Sequence, residues 1–107
     1  MSVFDPFESF AEIDDIVERL SSDDASVRRI AVMELGESAD QSAVPHIVSA
    51  LQDTDSGVRL QSAQALEEFD GPAAAAALAA ALADPDRAVA QAAADSLAEF
   101  KDPSCAM

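Results

Sequence analysis

The chain has 107 residues, half of them hydrophobic but few aromatic, with five Phe and no Trp or Tyr; that suffices for one domain and excludes the aromatic, β-branched core of a sandwich or barrel. Six basic residues against 21 acidic ones leave a formal charge of −15, which excludes the cationic surface that nucleic-acid phosphates or an anionic membrane require. A basic protein partner fits this balance, and the preference for Asp, Arg and Ala looks like that of a salt-adapted cytoplasmic protein.

The opening, Met1 to Glu8, is acidic and lacks the basic-then-apolar order of a secretory leader, so the chain is expected to be cytoplasmic. Apolar spacing then predicts a helix over 7–20 that carries Ile16 and Leu20. A second is predicted over 23–37, with Val27, Ile30, Ala31 and Leu35 on one stripe, and a third over 41–52, with Val44, Ile47, Val48 and Leu51. The pattern continues with helices over 54–69, 72–83 and 85–100. The longest apolar run, Ala73 to Ala83, is mostly alanine and too short to span a bilayer.

Helix starts carry capping residues. Ser22, Asp53 and Asp84 are predicted N-caps of the first helix of each pair, with Pro85 at the first helical position. Asp40, Gly71 and Asp102 open the second helices, with Pro72 and Pro103 following two of them.

The elements repeat with a period of 31 residues. Val27, Val58 and Val89 share it, as do Leu35, Leu66 and Leu97, and Leu20, Leu51 and Leu82. Ile16, Ile47 and Leu78 form a fourth column, and Asp24, Asp55 and Asp86 a fifth. Several independent columns with one step identify an all-α solenoid of stacked helical hairpins. Its units are a half-repeat at 7–21, repeats at 22–52 and 53–83, and an incomplete one at 84–107, so the segment reads either as cut from a longer solenoid or as ending in a frayed stub.

The runs Asp24-Ala25-Ser26-Val27-Arg28 and Asp55-Ser56-Gly57-Val58-Arg59 resemble the aspartate-x-x-valine-arginine signature of HEAT repeats. Ala31-Val32-Met33-Glu34-Leu35-Gly36, then Asp40 and Ala43-Val44-Pro45, are similar to the short variety found in phycobilisome lyases. The third copy departs from it, with Ala90 in place of the arginine, and the second has Ala76 where Pro45 stands in the first. The resemblance implies a convex side of first helices and a concave side of second helices that partners bind. Members of the class include bilin lyases, cofactor-maturation factors and plain scaffolds, so the fold is implied more firmly than any activity.

Arg28 and Arg59 are expected to form an inter-repeat ladder with Asp24, Asp55 and Asp86, because a forked guanidinium suits carboxylates. His46, the only histidine, is expected on the concave side beside Asp15 and Glu18; without further ligands the set is read as contact surface rather than a metal or proton site. Ser49, Ala77 and Ala80 continue that surface, grading from acidic to bare alanine. Cys105 has no neighbouring base, and no nucleophile–base pair, phosphate loop or calcium loop is present in the sequence. The reading is a non-catalytic scaffold, without cofactor or metal, that binds another protein, basic or helical, through the second helices; the alternative is a lyase-like maturation factor. Val89, Ala93 and Leu97 carry no polar replacement on the last full helix, so association through residues 72–100 is expected, with a second copy as one occupant.

Overall fold

The computed structural model describes the backbone of residues 7–99 and the side chains of 13–99. Among the described residues six α-helices follow one another: α1 Phe7–Arg19, α2 Ala25–Ser38, α3 Val44–Ala50, α4 Ser56–Ala65, α5 Pro72–Ala81 and α6 Arg87–Ala98. No strand occurs among the described residues. Helices α2, α4 and α6 stack on one another in one layer, and α3 packs on α5 in the other. Between the layers lie Leu35, Ile47, Leu66, Phe69 and Leu78, all buried. The all-α solenoid expected from the 31-residue columns is therefore the observed architecture.

The columns explain the layers. Ile16, Ile47 and Leu78 are buried, as are Val58, Val89, Leu35 and Leu66, while Val27 and Leu97 are half-buried. The column of Leu20, Leu51 and Leu82 behaves differently. Leu51 is 7% exposed, but Leu82, one period on, is 47% exposed. A leucine in this column is covered by the next second helix, and no described helix follows α5 in that layer. Among the described residues two polar side chains are buried with the core, and both are satisfied: Ser62 Oγ donates to the Val58 carbonyl at 2.8 Å, and Ser96 Oγ donates across to the Ala63 carbonyl at 2.9 Å.

Several boundaries differ from the sequence expectation for local reasons. The helix expected over 41–52 begins as a 3-10 turn, Gln41–Ala43, in which Val44 N–H bonds the Gln41 carbonyl. Pro45 has no N–H with which to make the α-type bond to that carbonyl, so the α-helix proper starts later. Asp40 caps this turn by accepting from Ser42 N–H, as expected. The helix expected over 54–69 likewise tightens to a 3-10 turn at Leu66–Glu68 and ends at extended Phe69. Pro85 precedes the N-cap of α6 rather than occupying its first turn. The expected cap at Asp102-Pro103 lies outside the described residues.

Helix α2 ends at Ala39, whose φ of 57° is left-handed. That conformation crowds an L-residue's Cβ and favours glycine. Ala39→Gly is therefore expected to stabilise the chain by about 0.5–1 kcal/mol, glycine's larger unfolded-state entropy offsetting part of the relieved strain. Urea denaturation of the two chains checks the sign.

Candidate protein-docking face

The loops between repeats set the geometry. Each first helix is capped by the aspartate of the fifth column: Asp24 accepts from Ser26 N–H, Asp55 from Val58 N–H, and Asp86 from Ala88 N–H. Ser22, Asp53 and Asp84, expected as the caps, lie two residues earlier, and each accepts the N–H of the true cap. The largely buried carboxylates of Asp53 and Asp84 are where the arginines bind. Arg28 Nε and Nη2 donate to Asp53 at 2.9 and 3.0 Å, while Nη1 donates to the Ser22 carbonyl at 2.8 Å. One period on, Arg59 Nε and Nη2 donate to Asp84 at 2.9 and 3.3 Å, and Nη1 donates to the Asp53 carbonyl at 2.8 Å. The ladder thus exists, but its rungs are Arg28–Asp53 and Arg59–Asp84. Asp24, Asp55 and Asp86 are instead caps, their carboxylates accepting from first-turn N–H groups.

Burial opposes ionisation of Asp53 and Asp84, but the arginine hydrogen bonds and the loop N–H groups outweigh it and hold both carboxyls below their ordinary value of 3.8. A lowered folded pKa gives stability that is present above the unfolded value and is lost as pH falls through the folded one. The wild type is therefore expected to lose more stability than Asp84→Asn as pH is taken from 5 to below 3. Urea midpoints of both chains across that range test this, and parallel curves would contradict it.

On the second-helix side, α3 and α5 enclose a groove of about 450 Å³. Val48, Leu51, Ala77, Ala80 and Ala81 line it, and Asp53, Arg59 and Asp84 of the ladder form its wall. Ala80 is exposed and Ala77 half-buried, as the sequence pattern suggests, whereas Ala81 turns into the core. A second groove, between α1 and α3, holds His46 with Val17, Leu20, Ser21, Ser49 and Asp53. His46 is half-buried rather than exposed, and Glu18 is exposed on the adjoining flank of α1.

Asp15 does not join them. It lies in the groove between α1 and α2 with Ile13, Arg19, Glu34 and Glu37. There Arg19 pairs with Glu34 and lowers its pKa chiefly through their hydrogen bond. The surface expected to contain Asp15, Glu18 and His46 is thus split by the phase of α1, and the carboxylate that lines the His46 groove is Asp53, expected from the sequence as a cap. Among the described residues no group of His, Cys, Asp and Glu is arranged to hold a metal ion, and no helix is long and apolar enough to cross a membrane. Cys105 lies outside the described residues.

No curated protein sequence matches the chain. Among solved structures, it is similar to the complex of CpcE and CpcF of phycocyanin lyase from Nostoc sp. PCC7120, with 30% identity and a TM-score of 0.77. The likeness covers 88% of this chain but only 39% of that one. A family match to HEAT repeats spans residues 13–98. With that match running through every rung and column described above, the chain belongs to the HEAT-repeat family.

Proposed function

We propose that this chain is a non-catalytic scaffold that holds another protein against its second-helix face. The observation that carries this reading is the α3–α5 groove: an apolar, alanine-lined floor backed by a hydrogen-bonded ladder. Alanines let a partner's backbone come close, and the ladder fixes the spacing of the helices that present them. The solved relative is itself a complex of two proteins, which supports a protein as the occupant.

A photo-crosslinking residue at position 80 tests it. One partner should crosslink in stoichiometric amount from position 80 and not from position 91 on α6. Excess unlabelled chain should compete, and excess Ala80→Glu should not. Equal crosslinking from both positions, or equal competition by the variant, would contradict the proposal. A second copy of this chain is the competing occupant, and sedimentation at high salt, where repulsion between chains of charge −15 is screened, distinguishes it.

The likeness to a phycocyanin lyase complex favours a second reading, in which the chain assists attachment of a bilin to a partner. Bilin transfer by the isolated chain that disappears with His46→Ala or Cys105→Ala would establish that reading and overturn the non-catalytic one.

A further inference from the structure

The second-helix face has two unlike ends. At the α5 end Ala76 and Ala80 are exposed and uncharged, and the groove floor is apolar. At the α1 end Asp14 and Glu18 are exposed, one turn apart on the same flank, next to the groove that Val17 and Ser21 line. Helices α1, α3 and α5 carry a single cation, Arg19, and it is turned away into its pair with Glu34 on α2. The negative end of the face is therefore uncompensated from within these helices, while at the other end an apolar floor lies beside the Arg59–Asp84 pair, whose charges balance each other.

We infer that the face takes an amphipathic helix of a partner protein in one orientation, its apolar stripe in the α3–α5 groove and its cationic end against Asp14 and Glu18. This rests on the scaffold reading above and adds the partner's chemistry and polarity. From α1 to α5 there are two helix spacings, about 16–20 Å, which an α-helix crosses in about 11–13 residues. Apolar burial holds such a ligand, and the rim carboxylates orient it and speed its approach. Exposed carboxylates elsewhere on the chain, such as Glu67 and Glu68 at the end of α4, repel anions but lie off this face and do not orient the ligand.

The probe is a synthetic amphipathic peptide of roughly 14 residues, with leucines along one face and two arginines at one end. Its control has the same composition with the arginines at the centre. Binding to the 107-residue chain is read by fluorescence anisotropy at low and high salt. The end-charged peptide should bind about fivefold tighter than the control, and Asp14→Asn/Glu18→Gln should remove that advantage. Glu67→Gln/Glu68→Gln, which removes the same charge, should leave it. Equal losses from both double variants would mean attraction to bulk charge alone and would overturn the proposal. So would equal binding of the two peptides. If both peptides bind equally and Ala80→Glu still abolishes binding, the docking face stands and only its directional partner fails. If Ala80→Glu changes nothing, the face itself is wrong.

Discussion

Leu66→Ala should lower the stability of the chain by about 2–5 kcal/mol, a large part of the 5–15 kcal/mol that holds a typical domain together. Leu66 is fully buried in the 3-10 turn that ends the first helix of the middle repeat, in the same core cluster as Leu35 and Leu78. Alanine would leave a cavity between rigid helices that cannot collapse far to fill it. Leu82→Ala removes the same atoms from a leucine that is 47% exposed and should change stability by no more than about 0.5 kcal/mol. Urea denaturation of the two variants separates these outcomes. Because each repeat touches only its neighbours, loss at Leu66 should also broaden the transition by uncoupling the repeats on either side.

The second large effect runs against helix propensity. Gly36 lies within α2, and alanine in a helix interior normally stabilises by about 0.8–1.0 kcal/mol relative to glycine. Here a Cβ at position 36 would stand 2.9 Å from Ala65 Cβ and 3.4 Å from Ala65 Cα. Neither atom belongs to a flexible side chain, so α2 and α4 would have to move apart. Gly36→Ala is expected to destabilise by about 1–2 kcal/mol, and Gly36→Val by about 3 kcal/mol. Thermal melts give the sign. Ala65→Gly in the Gly36→Ala background should recover part of the loss, whereas a net gain from Gly36→Ala alone would contradict the close approach.

Fold and period were legible in the sequence because every repeat restates them: the columns through Val58, Leu66 and Ile47 need no tertiary information beyond helical spacing. Local roles were harder to read. Asp53 and Asp55 both precede α4, both can accept from backbone N–H groups, and only the backbone path decides that Asp55 caps while Asp53 turns to Arg28. Pro45 could have signalled the broken start of α3, since its missing N–H excludes one specific helical bond. At the docking face, the alanines were legible and the acidic end only partly. Successive residues on a helix differ by about 100°, so Asp14 and Asp15 fall on different sides of α1, and only the packing of α1 between α2 and α3 shows which side each takes.

The ladder also acts as a ruler. Each arginine reaches a carboxylate 25 residues ahead and a carbonyl six residues behind, and these two spans together make up the period. Excision of residues 53–83 as a block would bring Asp84 to the place that Asp53 holds, and Arg28 would meet an identical partner. Excision of a block one residue longer or shorter would leave that guanidinium facing the wrong side of the loop. Insertion or deletion of whole 31-residue units is therefore expected to return a folded product, while changes of other sizes would break the pair at the junction. The same two arginines that tie each repeat to the next thus set the unit by which such a chain can grow.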